Sequence, residues 1–513
     1  VASTRVHGVG VHNYLAEAWT TAQDPTTRGP RQTVTEIDPV NGNTMSAQPA
    51  PPPAATASPD AAAQPATNVQ PATTGAQPAA ASTDPADAVR PRVVNNPEMV
   101  EAPPFNPLVS AYAESLDARG ISPESQGFMV ATMNGEVLAE HNADRLFNPA
   151  SVTKVATTLT VISRLGPDFR FKTSLYTDGA LDPSTGVLHG SLYLVGSGDP
   201  AFFAENALLI ADKLNRSGIR QVDGNLFVLG QFYFSFSASR DASAKAFRSV
   251  ITAEELKGAH KTAYSRFLAM RSAEDRAAVA AGGKLAPPLN GAPRIKIEGQ
   301  TITDSPFSTS KLTLVAVHTS LPLLRVLKGL NDFSDNWMAS MVGSLVGGPD
   351  AVERFLKTEV GFRDEEVNFA TSSGLGSNAI SPRGTVSLLR KLVAYLNSKN
   401  LGPEDILPIA GVDGGTLGKR FTDAFRGSVV AKTGTLSSVS ALAGVAYTRS
   451  KGPLLFVIYN QGRSARTFRP IQDETVKKLI TLYGGPAPVR PYPTIMPRVS
   501  EQGADGSASS ARK

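Results

Sequence analysis

The chain has no cysteine in 513 residues. Thiol catalysis, disulfides and thiolate metal sites are therefore excluded, and the zero count suits an exported protein without fixing the redox compartment. Its six histidines, His7, His12, His141, His189, His260 and His318, show neither His-x-x-x-His nor His-Glu-x-x-His spacing, so a zinc peptidase has no ligand pair to start from. No apolar run approaches the roughly 18 residues of a membrane span, and no basic-then-apolar signal peptide opens the sequence. The chain begins with Val rather than Met, which reads as a processed form whose export signal has been removed. A balance of 50 Lys+Arg against 45 Asp+Glu leaves a net charge of +5. That is modest for this length, and no dense Lys/Arg block with interleaved aromatics is present, so nucleic acid is not an expected partner.

Large apolar side chains are scarce from about Ser46 to Arg92, a stretch built from Ala, Pro, Gln, Thr, Ser and Asp. Such a segment cannot bury enough surface to offset the entropy of ordering, so a disordered Pro/Ala-rich linker is expected. Ahead of it, residues 1–40 hold a few apolar positions, Tyr14, Leu15 and Trp19 among them. These read as a loose leader, or as a short docking segment for a partner in the cell envelope. The run from Pro486 to Lys513 is Pro-rich and then Gly/Ser-rich, and reads as a second flexible tail.

Between these ends the apolar periodicity describes a fold. Pro107 to Arg119 carries Leu108, Tyr112 and Leu116 at helical spacing. Gly127 to Glu140 reads as two strands around Asn134-Gly135, a hairpin dipeptide suited to positive φ at both central turn positions. Val429 to Lys432, Ser440 to Tyr447 and Leu454 to Tyr459 are three more strand-like runs, followed by a helical stretch from Thr467 to Leu482. A helix and two strands at one end, with three strands and a helix at the other, predict one antiparallel sheet assembled from both ends of the chain and flanked by helices. Pro149 to Leu165 and Ser334 to Leu345 read as helices beside that sheet, the second stopped by Gly347-Gly348-Pro349. Roughly Phe171 to Val315 holds short strands (Ser191 to Val195, Asn225 to Leu229) and a polar, Ala-rich helical stretch from Ala253 to Ala281. This middle is expected to be an inserted smaller domain. No internal repeat stands out at any fixed period.

Three short strings carry the chemistry: Ser151-Val152-Thr153-Lys154, Ser334-Asp335-Asn336 and Lys432-Thr433-Gly434. Three positions apart on a helix, Ser151 and Lys154 share a face, so the amine can act on the hydroxyl. A serine hydroxyl is a poor nucleophile until a base takes its proton, and a lysine becomes that base when desolvation or neighbouring cations lower its pKa. Lys432, arriving from a distant strand, supplies the second cation. A helix start at Asn148-Pro149-Ala150 aims backbone N–H groups and the positive helix end at a developing oxyanion. Ser334 offers a hydroxyl able to relay a proton between Lys154 and a leaving amine, and Asn336 an amide able to bind Lys154 and a peptide group. In the third string Lys432 and Thr433 can hold a substrate carboxylate, Gly434 lets backbone approach the substrate, and the N–H of Thr435 can complete an oxyanion hole. Arginine would hold a carboxylate more rigidly but could not share in proton chemistry. Each string alone also has a plain structural reading: Ser151 and Thr153 as a helix N-cap, Ser334-Asp335 as another, Lys432-Thr433-Gly434 as the exposed end of a strand. Together, in this order and setting, they match the Ser-x-x-Lys, Ser-Asp-Asn and Lys-Thr-Gly signature of penicillin-binding proteins and class A β-lactamases.

Further stretches narrow the match. Asn148-Pro149-Ala150-Ser151-Val152-Thr153-Lys154, Leu165-Gly166-Pro167-Asp168-Phe169-Arg170-Phe171 and Gly198-Asp199-Pro200 are three of them. Ser373-Gly374-Leu375, Ala410-Gly411-Val412-Asp413-Gly414, and Val430-Ala431-Lys432-Thr433-Gly434-Thr435-Leu436 leading to Leu442-Ala443-Gly444 complete the set. From about Pro107 to Tyr483 the chain resembles the class C low-molecular-weight penicillin-binding proteins, the D-alanyl-D-alanine carboxypeptidase/endopeptidases typified by penicillin-binding protein 4. The resemblance implies an α/β (α+β) fold with a penicillin-binding/β-lactamase-like transpeptidase domain over 105–175 and 315–485. An accessory domain is then inserted over 176–314, with flexible segments over 1–104 and 486–513. It implies a serine peptidase of the bacterial envelope, periplasmic or otherwise extracytoplasmic, that cuts peptidoglycan stem peptides and is acylated by β-lactams, with no metal or organic cofactor. Carried over motif by motif, Ser151 is the nucleophile and Lys154 its base, Ser334 and Asn336 shuttle protons and bind the peptide, and Lys432 with Thr433 holds the terminal carboxylate. The 183 positions from Ser151 to Ser334 suit a family that inserts domains between its first two motifs, and exceed what a class A β-lactamase holds there. Where the family reads Asp-Gly-Ser-Gly-Leu-Ser, this chain has Thr371-Ser372-Ser373-Gly374-Leu375-Gly376, so no substrate role is carried to Thr371 or Gly376. After Asp223-Gly224-Asn225 the inserted region departs from the family.

Two other readings compete. A β-lactamase needs a second base to hydrolyse its acyl-enzyme; Glu365, Glu366 and Asn368 lie in roughly the right part of the chain, but at a different spacing, and read as a solvated loop. A catalytically idle penicillin-binding fold, tethered by the linker, would sense wall fragments without turnover, and the intact motifs speak against it.

Overall fold

The computed structural model of the chain describes residues 106–489. The expected leader and Pro/Ala-rich linker, and the tail from residue 490 onward, lie outside the described residues. Helix α1 (Pro107–Asp117) is capped by Asn106, whose Oδ1 accepts from the N–H groups of Leu108 and Val109 while its amide donates to Leu138 O. One side chain thus starts the helix and ties it to the hairpin of β1 (Gly127–Thr132) and β2 (Val137–His141). The hairpin expected at Asn134-Gly135 is present with a different turn. Thr132 O accepts from Gly135 N–H at 3.0 Å, and in the loop Gly135 alone takes a positive φ, 94°. A three-residue loop with glycine in the left-handed position satisfies the strand twist without forcing Asn134 there.

Helix α2 (Thr153–Leu165) leads into a further series of strands and helices. These are β3 (Lys172–Thr177), β4 (Leu192–Ser197), α3 (Ala204–Arg216), β5 (Leu226–Gln231), α4 (Arg240–Ile251), α5 (Ala259–Ala280), β6 (Thr301–Ile302) and β7 (Thr313–Thr319). The chain returns through α6 (Leu323–Phe333), α7 (Asn336–Leu345) and α8 (Pro382–Ser398). It ends in β8 (Val429–Leu436), β9 (Val439–Thr448), β10 (Gly452–Gln461) and α9 (Ala465–Leu482). Past α9, Ala487 and Val489 still bond to the body through Tyr447 O and Gly427 O.

The first sheet runs β8-β9-β10-β1-β2 with every neighbouring pair antiparallel, so the two ends of the fold meet where β1 pairs with β10 from Gly127↔Tyr459 to Thr132↔Leu454. Alternation sorts its side chains. Phe128, Val130, Leu442, Leu454, Phe456 and Ile458 pack with α1 and α9, while Met129, Ala131, Ala443, Leu455, Val457 and Tyr459 pack with the opposite helical layer that includes α2 and α8. Burial on both faces is why the central strands read as continuous apolar runs.

The second sheet is mixed, in the order β6-β5-β4-β3-β7, with β6, β5 and β4 mutually parallel and β3 and β7 antiparallel. A small sheet of Ala180–Asp182, Val187–His189, Gln221–Val222 and Lys296–Ile297 lies beside it in sequence. The helix expected from Ala253 starts at Ala259, because Gly258 with φ 55° interrupts the chain before it. Its polar composition has a structural cause: α5 packs on α3 through ion pairs, Arg266 to Glu205 and Arg271 to Asp212 at 3.0 Å each, and Asp275 to Arg216 at 3.0 Å. Among the described residues no helix is long and apolar enough to cross a membrane.

The first sheet is buried on both of its faces. Phe456→Ala, at a fully buried position, should lower the urea-measured unfolding free energy by about 3–5 kcal/mol. Leu314→Ala, at a position 53% exposed on β7, should change it by less than about 0.5 kcal/mol; comparable losses would contradict this placement of the core.

Candidate active site

The first motif sits where a strained turn becomes a helix. A 3-10 turn over Ala150–Val152 runs into α2 at Thr153, so the α-helix proper begins after Ser151 and not at Pro149. Ala150 has φ 47°, a left-handed value that costs energy for a residue with a Cβ. Asn148 holds this turn from two sides: its Oδ1 accepts from Ala150 N–H at 2.9 Å, and its amide donates to Gly376 O at 2.7 Å. Gly374 closes on the same turn so tightly that a Cβ there would stand 1.9 Å from Ala150 O. Ser151 is left half-buried, with its hydroxyl against Lys154.

Lys154 is fully buried, and its three donors meet three acceptors: Ser151 Oγ at 2.9 Å, Asn336 Oδ1 at 2.6 Å and Ser373 O at 2.6 Å. Burial pulls its pKa down to about 7, against a smaller opposing effect of Asp335. Near neutral pH a large share of this lysine is therefore a free amine, with a lone pair beside the serine proton.

The second motif is a helix end followed at once by a helix start. Ser334 terminates α6 with φ 58° and ψ 40°, and Asp335 caps α7, accepting from Met338 N–H at 2.8 Å. That reversal lets one tripeptide serve both lysines. Asn336 Oδ1 accepts from Lys154, while Ser334 Oγ accepts from Lys432 at 2.8 Å.

Lys432 lies on β8, fully buried, and also donates to Thr433 O at 2.8 Å. Its pKa is held well below the ordinary lysine value by burial first and by the repulsion of Lys154 second, against the pull of Asp332. Gly434 brings β8 flush onto the Ser151 turn, since a Cβ there would meet Pro149 O at 2.4 Å and Ala150 Cβ at 3.1 Å. Strand β8 is also the edge of its sheet. Its first half is covered, Ala431 N–H donating to Pro408 O and Val429 O accepting from Ala410 N–H. By the two-residue period of a strand, the backbone groups of Thr433 and Thr435 point to the same side. Thr433 O is occupied by Lys432, whereas Thr435 is exposed and its N–H faces the uncovered part of the edge.

Ser151, Lys154, Ser334, Asn336 and Lys432 therefore meet, and Thr433, Gly434 and Thr435 form the strand wall beside them. Sequence reasoning missed the Ser373 carbonyl on Lys154, because a backbone acceptor carries no residue signature. It also missed how the 371–378 loop is fastened to α2, through Thr157 to Ser372 O at 2.7 Å and Asn378 to Thr153 Oγ1 at 3.0 Å. Glu365 and Glu366 occupy an exposed turn, both paired with Arg363, and Asn368 is exposed. Among the described residues no group of three or more His, Asp and Glu is arranged to hold a metal ion.

Comparison with known proteins identifies the family. The model of the D-Ala-D-Ala carboxypeptidase 3 (S13) family matches residues 110–247 and 255–481. The chain is 25% identical over 471 residues to a D-alanyl-D-alanine carboxypeptidase of Actinomadura sp. (strain R39), spanning 73% of this chain and 85% of that protein. It is 29% identical over 362 residues to carboxypeptidase DacB of Mycolicibacterium smegmatis, spanning 65% of this chain and 76% of that protein. It shares its fold with the penicillin G-acylated predatory endopeptidase of Bdellovibrio bacteriovorus, at a TM-score of 0.59 and 23% identity, over 71% of this chain and 94% of that one. The class C resemblance read from the motifs thus extends over most of the molecule, and the chain is a serine peptidase belonging to the D-Ala-D-Ala carboxypeptidase 3 (S13) family.

Proposed function

We propose that this carboxypeptidase/endopeptidase cuts peptidoglycan stem peptides through an acyl-enzyme on Ser151. The reading rests above all on the buried Lys154 amine, 2.9 Å from Ser151 Oγ. In its neutral form Lys154 takes the hydroxyl proton as Oγ attacks the carbonyl of the penultimate D-Ala. The oxyanion is received by the backbone N–H groups of Ser151 and Thr435. Ser334, bonded to Lys432, gives its proton to the leaving nitrogen and takes up the one Lys154 carries, so that the C–N bond breaks to free D-Ala or the cross-linked amine and Lys154 is neutral again. Water then attacks the ester, with Lys154 again the base, and restores Ser151. A β-lactam presents the same carbonyl in a ring; its nitrogen stays tethered after ring opening, so the acyl-enzyme persists.

Lys432 and Thr433 hold the carboxylate that ends the peptide or decorates the β-lactam, and Asn336 binds the peptide group. The uncovered edge of β8 suits an extended peptide laid alongside Thr433 to Thr435 as an added strand, a pairing that needs no side-chain code. Such a substrate places the enzyme outside the cytoplasm, in the periplasm or its equivalent. We further infer that the chain between β3 and β7, with its own mixed sheet and helices, is an inserted accessory unit on the 105–175 and 315–485 transpeptidase-like body. A β-lactamase reading lacks its second base, since Glu365 and Glu366 are engaged with Arg363 in an exposed turn.

Ser151→Ala should abolish labelling by fluorescent penicillin and the release of D-Ala or cross-link cleavage from purified muropeptides, read by mass spectrometry; labelling without any cleavage in the unaltered chain would instead favour a wall-sensing module. Lys154→Ala should slow acylation by about 10²–10⁴-fold with an unchanged far-ultraviolet circular dichroism spectrum, and retained labelling refutes its role as base. Because the active form is the neutral amine and the pKa lies near 7, the acylation rate should climb roughly tenfold per pH unit below that point and level off above it. A rate independent of pH across that range rules out Lys154 as the titrating group.

A further inference from the structure

The α9 face of the first sheet carries a buried polar network that the reaction just described does not use. Its centre is Gln472 on α9, fully buried, whose Oε1 accepts from Arg420 Nη2 at 3.2 Å. A guanidinium can only donate, so the amide is oriented with its Nε2 towards the sheet. There it donates to Ser440 Oγ on β9 and to Asn460 Oδ1 on β10, both at 3.1 Å. Asn460 passes the pairing on, its Nδ2 donating to Tyr112 Oη on α1 at 2.8 Å and to Gln126 Oε1 at 3.2 Å. Gln126 grips the end of β10, accepting from Gln461 N–H at 3.0 Å and donating to Gln461 O at 3.2 Å. Ser440, Asn460, Gln126 and Tyr112 are all buried. An apolar filling would hold the sheet to its helices at a lower desolvation cost, whereas a well-paired polar network fixes one geometry.

Strand pairing shows what that geometry serves. Across the sheet Ser440 stands between Asn460 on β10 and Thr435 on β8. In an antiparallel ladder, a residue whose N–H and C=O turn away from the neighbouring strand makes no bond to it, and its side chain lies close to that of its cross-strand partner. Thr435 is such a residue, because it shares the orientation of Val429 and Ala431, whose backbone bonds run outward to Ala410 and Pro408. It is also near the end of the ladder, which closes at Leu436↔Val439 before the exposed Ser437-Ser438 turn. Strand ends are where local opening is least costly. Two ties work against it: Gly462 N–H donates to Ser438 O at 2.9 Å, directly after the Gln461 that Gln126 holds, and Gln472 pins the Ser440 side chain beside Thr435.

We propose that Gln472 and Ser440 are positioning residues of this peptidase: the buried amide of Gln472, by fixing the Ser440 hydroxyl opposite Thr435, holds the end of β8 so that the Thr435 N–H stays aimed at the developing oxyanion. The proposal rests on the reading of that N–H as an oxyanion donor. Such a donor is worth about 10²–10³ in rate, and a displacement of about 1 Å forfeits much of it.

The test is steady-state hydrolysis by the full chain of an N-acylated D-Ala-D-lactate ester and of its thiono counterpart, in which sulfur replaces the oxygen of the scissile carbonyl. Two well-aimed N–H donors favour a small oxyanion over the larger, weakly accepting sulfur, so the unaltered chain should show a kcat/KM about 100-fold higher for the oxo ester. Ser440→Ala and Gln472→Leu should each lower kcat/KM for the oxo ester about tenfold and the thiono ester less than about threefold, so that the ratio of the two falls. Ser440→Thr, which keeps the hydroxyl, should leave the ratio within about threefold of the unaltered value. An unchanged ratio in Ser440→Ala, whatever happens to the overall rate, makes the network a purely structural one and overturns the proposal. A ratio lost in Ser440→Thr as fully as in Ser440→Ala overturns it too, since the hydroxyl is then not what matters. Should Gln472→Leu fail to fold by circular dichroism, the two Ser440 variants decide the matter by themselves. Equal rates for both esters in the unaltered chain mean that the oxyanion reading itself fails and the proposal with it, a result distinct from any outcome at Ser440.

Discussion

The interaction on which the site depends is the threefold hydrogen bonding of one buried ammonium. Lys154 draws a hydroxyl from its own helix turn, an amide from the start of α7 and a carbonyl from the 371–378 loop into a single shell. Its burial would be prohibitive without those acceptors, and desolvation, opposed in part by Asp335, pulls its pKa down to about 7. The cost of desolvation becomes the chemical property the proposed reaction needs, a lysine that is part amine at neutral pH. Three distant pieces of chain are held in register by the requirement that no donor of this group go unpaired.

Close approach of backbones is the second constraint. The Ser151 turn is enclosed by Gly374 on one side and Gly434 on the other, both at distances that admit no Cβ, and the strain at Ala150 persists because these neighbours leave the turn no alternative. The strand wall and the Ser151 turn are thereby separated by backbone thickness alone. The same packing leaves the Thr435 N–H on an uncovered strand edge beside the serine.

Charge is managed collectively. Lys154 and Lys432, both buried, repel one another, and Asp335 and Asp332 respectively oppose part of the lowering that burial imposes on their pKa values. Lys328 and Asp413 extend this pattern beneath the site and join the carrier of the second motif to the neighbour of the third. A cluster that stitches the scaffold also sets the field in which the reacting groups titrate.

The sequence by itself determined the site's inventory and the sheet's composition. Ser151, Lys154, Ser334, Asn336 and Lys432 were legible because their types and settings are dictated by acyl-transfer chemistry, and β1, β9 and β10 because strands buried on both faces must be apolar throughout. The hairpin at Asn134-Gly135 was legible as well, although its turn was not, since one positive φ at Gly135 suffices once a third loop residue is present. Tertiary structure alone decided what long-range contacts decide: the Ser373 carbonyl on Lys154, the left-handed Ala150, and the burial that lowers the pKa of both lysines. The physical reason is common to all three. Side-chain identity records what a residue can do, whereas desolvation, backbone acceptors and steric exclusion arise from segments more than a hundred positions away, which no local pattern encodes.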